Sequence, residues 1–322
     1  MPANGTDSRK VTYARLSLTE RCNLACSYCR SGHQAPDAGV LSLEHVAFLV
    51  RAAALAGVTR LRLTGGEPLL HPDIERVVAT CRAQEGIEQV ALTTNGLRLA
   101  PLSRGLADAG LARVNVSLDS LRPERFAAVT GSDALGRVLA GLDAALAAGL
   151  SPVKVNMVVM RSVNLDEVED FARLSVERDL HVRFIEVMPL GNPGFYRPDL
   201  LVPAAEVRGR VAALGALEPA CVDGSGPARV WRLAGARGTV GFIGAMTECF
   251  CGTCNRIRVT SRLAVHPCLA SEQHVSLAGA VLSGDVEAAA QAIRDSLSGK
   301  GLQHGMSPAG LACPGRISAI GG

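Results

Sequence analysis

Lysine, aromatic side chains and long apolar runs are all scarce in this sequence. Lysine occurs only as Lys10, Lys154 and Lys300. Aromatics make up 3% and the formal net charge is +3, which argues against a nucleic-acid partner, whose binding surface is basic and carries rings for base stacking. The best apolar stretches are broken by Arg, Asp or Gly well short of the ~18 residues a membrane segment needs, so no membrane partner is expected. Residues 1–10 are polar and hold no apolar signal core, from which a cytoplasmic location is expected. What is present is globular. With 48% apolar and 20% charged residues in 322, global disorder is excluded, and there is room for about two domains at roughly 150 residues each.

Cysteine is plentiful, with ten in the chain. A disulfide framework belongs to small exported domains. In a reducing compartment the thiols serve metal binding, catalysis or apolar packing instead.

Six short aliphatic or β-branched runs read as strands: 13–18, 58–63, 88–94, 113–118, 152–159 and 180–186. Helical patterns separate them: Ser42 as N-cap of a helix to Ala56, then 73–83, 101–109, 135–148, and a helix capped by Asn164 and running to Arg178. Such alternation means a parallel sheet with right-handed crossovers. It ends near Met188. Beyond lie a short helix from about Val202, strand-like runs at 229–233, 239–243 and 256–260, and a helix at 286–297.

Cys22, Cys26 and Cys29 form C-x3-C-x2-C after the first strand. Roughly 0.01 such matches per chain arise by chance at this cysteine frequency. Three thiolates on one loop hold three corners of a [4Fe–4S] cluster and leave the fourth iron open, whereas structural zinc wants four closed ligands. Cys251, Cys254 and Cys268 form a second three-ligand set, with Cys249 as a competing fourth. Between them, alternation on a strand puts Arg256 and Arg258 on one face, a pairing suited to a polyanion such as a triphosphate. Lys154 lies inside the apolar run from Val153 to Met160, where a buried cation needs an anionic partner. Arg62 alternates with Arg60 beside a glycine loop.

The first motif, with Tyr28 before its last cysteine, and Thr64-Gly65-Gly66-Glu67-Pro68 after the second strand together resemble the radical S-adenosylmethionine (SAM) enzymes. Runs at 15–23 (RLSLTERCN), 92–96 (LTTNG), 116–119 (VSLD), 184–188 (FIEVM), 250–258 (FCGTCNRIR) and 317–322 (ISAIGG) narrow the resemblance to the GTP 3′,8-cyclase family of molybdenum cofactor biosynthesis. That resemblance implies an α/β fold: a partial (β/α)6 TIM-like barrel over 1–190, then a C-terminal α+β extension over 191–322 carrying a second Fe–S cluster and packed on the barrel. It implies two [4Fe–4S] clusters, on Cys22, Cys26 and Cys29 and on Cys251, Cys254 and Cys268, with SAM held near Tyr28, Gly66, Ser117 and Met188. GTP is placed by Arg15, Arg62, Thr93, Lys154, Arg256 and Arg258, and Gly321 and Gly322 thread into the active site. Arg15, Arg256 and Arg258 also serve catalysis.

The implied enzyme is a lyase that converts GTP to (8S)-3′,8-cyclo-7,8-dihydroguanosine 5′-triphosphate. A 5′-deoxyadenosyl radical takes the ribose 3′ hydrogen, and C3′ then attacks guanine C8. An external one-electron reductant of flavodoxin or ferredoxin type and a downstream cyclic pyranopterin monophosphate synthase are the implied partners, the chain being a monomer or homodimer. Three positions depart from the family pattern: Arg30-Ser31 replaces Met-Pro, Glu20 stands where Asp is commoner, and Leu269-Ala270 lacks the usual Phe. The alternatives are a specialised paralogue or a radical SAM peptide-modifying enzyme with an auxiliary cluster.

Overall fold

The computed structural model describes residues 11–29, 39–192, 194–224, 226–298, 300–301 and 303–306. Its strands are β1 (Tyr13–Ser17), β2 (Arg60–Thr64), β3 (Gln89–Thr94), β4 (Arg113–Ser117), β5 (Val153–Val159), β6 (Leu180–Glu186), β7 (Leu217–Pro219), β8 (Arg229–Leu233), β9 (Thr239–Ile243), β10 (Arg256–Val259), β11 (Ala264–His266) and β12 (Val275–Ser276). All twelve belong to one sheet, ordered β12-β11-β10-β1-β2-β3-β4-β5-β6-β9-β8-β7. Strands β1 to β6 run parallel and in chain order, as the six sequence runs predict.

The C-terminal third extends that sheet at both edges. β10 lies parallel to β1, with Arg258 opposite Arg15, and β9 lies parallel to β6, with Gly241 opposite Arg183. Antiparallel β11–β12 and β8–β7 finish the two margins. Local periodicity finds β8, β9 and β10 as strands but carries no information on which partners they take, so this return to both edges is visible only in the fold.

Strands in closed parallel barrels are apolar on both faces. Here they alternate. Leu61 and Leu63, Val90 and Leu92, and Val114 and Val116 are buried on the outer face beneath the helices. Arg62, Thr93, Asn115, Asn156 and Arg183 point inward. That polar inner row is the local signature of a barrel enclosing a wet cavity rather than packed side chains. The helices supply the outer cover. In Leu43–Leu55 the buried residues Val46, Leu49, Val50 and Ala53 recur at helical spacing, and Ser42 Oγ accepts from His45 N at 3.2 Å to cap it, as predicted.

Two helix expectations need correction. Asn164 stands at the N-cap position of the turn that leads into the helix predicted there, but its side chain makes no capping bond. It is fully buried, donates from Nδ2 to the carbonyls of Asp119 (2.8 Å) and Val158 (2.9 Å), and accepts at Oδ1 from Met160 N (2.8 Å), so it pins one loop to another. A 3-10 turn over Leu165–Glu167 precedes the helix Val168–Glu177. The helix Pro123–Thr130 went unpredicted, although Pro at its start and Gly131 in the left-handed conformation (φ 73°) at its end are start and stop signals. Its eight residues are too few to show a period.

Candidate active site

Side chains from every parallel strand, β10 and β1 through β6 to β9, face one cavity of about 360 Å³. The sheet therefore curls around it. All six cysteines of the two sets line this cavity, together with Tyr28, Gly66, Thr93, Ser117, Met188, Arg15, Arg62, Arg256 and Arg258. Lys154 does not. It lines a smaller space of about 190 Å³ beside His181, which shares Arg183 and Gly226 with the larger one. Gly321, Gly322, Arg30, Ser31 and Cys313 lie outside the described residues.

The loop carrying Cys22, Cys26 and Cys29 leaves the C-terminal end of β1 and is held from several sides. Ala25 N and Ser27 N donate to the carbonyls of Thr130 and Val129 (both 2.9 Å), at the end of the short helix. Tyr28 Oη donates to Asp119 Oδ2 at 2.7 Å. Gly66 N and Glu67 N donate to the carbonyls of Thr19 (2.6 Å) and Arg21 (2.7 Å), tying the glycine loop after β2 to the cysteine loop. A Cβ on Gly66 would stand 2.2 Å from the Arg21 carbonyl oxygen. This close backbone approach by itself requires glycine there. Glu67 is buried and spends its carboxylate on Leu69 N (2.9 Å), Thr94 Oγ1 (2.7 Å) and Asn95 N (2.7 Å), fastening the β2 and β3 loops together. Burial pushes its carboxyl up to about 7.

The second set lies across the cavity. Cys251 opens a 3-10 turn, Cys254 ends it ahead of β10, and Cys268 follows β11. Thiolate ligands take N–H bonds at sulfur. Leu24 N and Ala270 N reach Cys22 Sγ (3.5 Å) and Cys268 Sγ (3.4 Å) in that manner. Burial opposes ionisation of Cys254, but Arg256 and Lys300 prevail and bring its thiol down to about 7. Thiol-rich, half-buried and N–H-bonded, both sets suit cluster ligation. Cys249 is exposed and does not line the cavity; its sulfur, that of Cys251 and a ring nitrogen of His304 lie within 4.8 Å of one another.

Between the two sets the wall is cationic. Arg15, Arg62 and Arg258 sit in register on adjacent strands. Burial, with the guanidiniums of Arg256 and Arg62 nearby, pulls Arg15 down to about 10, and burial with Arg62 pulls Arg183 down to about 9. Burial also opposes ionisation of Tyr13, yet Arg62 and Arg15 lower it to about 8. Lys154 falls to about 7 through burial and the charges of Arg183 and Arg113. Its Nζ donates to the Asp223 carbonyl at 2.6 Å, and the Asp223 carboxylate pairs with Arg113 at 3.0 Å. So many buried cations gathered on one wall make a receptor for a polyanion.

Sequence reasoning missed Arg183, Asn115 and Asn156, all of which line the cavity. Each continues a period-two polar row, Arg113-Asn115-Ser117, Lys154-Asn156 or His181-Arg183, that marks an inner face. Two departures from the family pattern also find their place. Glu20 Oε2 accepts from Arg262 Nη2 at 3.0 Å, so its extra methylene spans to the turn beyond β10. Leu269 and Ala270 line the cavity.

The sequence profile of the Radical SAM superfamily matches residues 16–175, and that of Molybdenum Cofactor Synthesis C matches 180–306. The chain is 42% identical over 322 residues to the GTP 3′,8-cyclase of Moorella thermoacetica, covering 98% of this chain and 99% of that one. It is 44% identical over 327 residues to the GTP 3′,8-cyclase of Heliobacterium modesticaldum, covering 98% of each. Among solved structures, Streptococcus suis SuiB bound to S-adenosylmethionine matches with a TM-score of 0.61 at 14% identity over 87% of this chain; the match spans 65% of SuiB and speaks to fold alone. The chain belongs to the radical SAM superfamily and, within it, to the GTP 3′,8-cyclase family.

Proposed function

We propose that this chain converts GTP to (8S)-3′,8-cyclo-7,8-dihydroguanosine 5′-triphosphate in the first step of molybdenum cofactor biosynthesis. The observation that carries the reading is one cavity with a cysteine triad on either side and a cationic wall between them. Cys22, Cys26 and Cys29 would hold the cluster that binds SAM, and Cys251, Cys254 and Cys268 the cluster that faces the purine. When bound, the first cluster and SAM together supply the radical chemistry.

The remaining work belongs to the protein. Tyr28, Gly66, Ser117 and Met188 border the SAM end. Arg15, Arg62, Arg256 and Arg258, with Thr93 and Lys154, take the nucleotide, their guanidiniums forking onto phosphate oxygens. These cations are already desolvated by the fold, and an arriving triphosphate gives them a counter-charge. An arginine near the base, Arg15, Arg256 or Arg258, stabilises charge as the cyclised product is reduced. Enclosure by the curled sheet keeps water from a reactive sugar. Gly321 and Gly322 complete the site as a side-chain-free tail.

The chain divides at 190/191 into barrel and C-terminal region. It acts in the cytoplasm as a monomer or homodimer, takes one electron from a flavodoxin- or ferredoxin-type donor and feeds a cyclic pyranopterin monophosphate synthase. No helix among the described residues is long and apolar enough to cross a membrane. Anaerobic reconstitution tests the reading. It expects about eight iron per chain, for two clusters, and SAM cleavage that depends on GTP. About four iron without GTP dependence would overturn it.

A further inference from the structure

We infer that Asn115 accepts a hydrogen bond from a ribose hydroxyl of the bound nucleotide, and so sets the preference for a ribonucleotide. The inference rests on reading the cavity as a nucleotide site.

Asn115 lies mid-strand in β4, is 3% exposed and lines the main cavity, and its Oδ1 has no hydrogen-bond partner. A buried amide oxygen without a donor is costly, and in a folded chain it calls for an explanation. Neighbouring side chains do not provide one. Its in-register partners are Thr93 on β3 and Lys154 on β5. The Lys154 ammonium donates to the Asp223 carbonyl (2.6 Å) and the Thr93 hydroxyl accepts from Arg62 Nη1 (3.2 Å), and neither makes a hydrogen bond to Asn115 Oδ1. The other inward amide, Asn156, is already satisfied at Oδ1 by Arg183 Nε (2.8 Å). Of these two amides only Asn115 leaves its buried oxygen without a donor.

The missing partner must be a donor, which restricts the ligand group. Phosphate oxygens at neutral pH donate nothing, and the arginines already serve them. Guanine carries N–H donors, but the base belongs toward the second cysteine set next to β10. β1, β2 and β3 separate β10 from β4 in the sheet, which puts the two on opposite sides of the curl. Along β4, Ser117 lies one inward step toward the cysteine loops and Arg113 one inward step toward the cationic floor. Asn115 therefore stands one step from the SAM end and in register with Thr93 and Lys154 of the nucleotide receptor, at the junction where the sugar belongs. A neutral sugar hydroxyl is the donor that fits.

Binding affinity tests this without turnover. Dissociation constants for GTP, 2′-deoxyGTP and 3′-deoxyGTP are measured by equilibrium dialysis on the cluster-loaded wild type, on Asn115→Leu (similar volume, no acceptor) and on Asn115→Asp (acceptor kept). The wild type binds GTP on the order of tenfold more tightly than one of the deoxy analogues. That ratio falls to within twofold of unity in Asn115→Leu and persists in Asn115→Asp. Iron content and circular dichroism establish that each variant is folded, and should the leucine variant fail that check, Asn115→Ala takes its place. An unchanged preference in the acceptor-free variant, or a wild type that binds all three alike, overturns the assignment. A wild type that binds no GTP would instead overturn the nucleotide reading itself.

Discussion

Tyr28 Oη donates to Oδ2 of Asp119 at 2.7 Å, while Oδ1 of the same carboxylate accepts from Val158 N at 2.8 Å. One buried acid thus joins the cysteine loop after β1 to the ends of β4 and β5. Burial raises the Asp119 carboxyl to about 6 in spite of both bonds.

Replacing Tyr28 by Phe keeps the ring and removes the donor. Asp119 is only 4% exposed, so its Oδ2 is left unsatisfied, at a cost of about 1–3 kcal/mol. Iron content should stay near eight, because no thiol is touched. Chemical denaturation of the loaded protein reads the effect, and an unchanged midpoint would show that water or another group serves Asp119.

Gly66→Ala should act on the cluster loop before it acts on any ligand. The added Cβ meets the Arg21 carbonyl oxygen at 2.2 Å and that of Glu20 at 2.5 Å, both backbone atoms that cannot swing aside. The expected result is a chain that takes up about four iron instead of about eight, with the second cluster retained. Full iron content with weakened SAM binding would mean that the glycine serves the ligand instead of the loop packing.

The cysteine sets and the arginine pair on β10 were legible because ligand spacing and strand alternation are local. So were the six parallel strands, whose aliphatic runs are bounded by turns. What was not legible is long-range. Nothing near Thr239 or Arg256 says that β9 joins β6 while β10 joins β1. Asn164 looked like a helix cap because its type fits one, yet three contacts to Asp119, Val158 and Met160 claimed its side chain. Lys154 stood out as a buried cation, but its place in the smaller space beside Asp223 depends on a loop 69 residues away.

Cys249 and Cys251 should behave differently. Their sulfurs and a ring nitrogen of His304 lie within 4.8 Å of one another, but only Cys251 lines the cavity. Cys249→Ser is expected to keep about eight iron, and Cys251→Ser to fall toward about four. If the two variants lose iron equally, Cys249 is a ligand of the second cluster and its site is closed.

Lys154 should make nucleotide affinity depend on pH. Its ammonium titrates near 7, far below the usual 10.5, through burial and the positive charges of Arg183 and Arg113. Between about 7 and 10.5 the unfolded chain holds this proton and the folded one does not, so this group's contribution to stability rises with pH across that window. Binding runs the other way. A triphosphate favours the charged lysine, so affinity is flat below about 7 and falls as pH rises, by up to tenfold per unit, until the pKa of the complex is reached. The terminal phosphate, with a second pKa of about 6, is already ionised there. Tyr13, at about 8, and Arg183, at about 9, titrate in the same cavity with or without the lysine, so the Lys154 share is the difference between two profiles. Between pH 7.5 and 8.5 the GTP dissociation constant should rise several-fold more for the wild type than for Lys154→Gln. Equal profiles in the two proteins would place Lys154 outside the nucleotide site, held for the Asp223 loop alone.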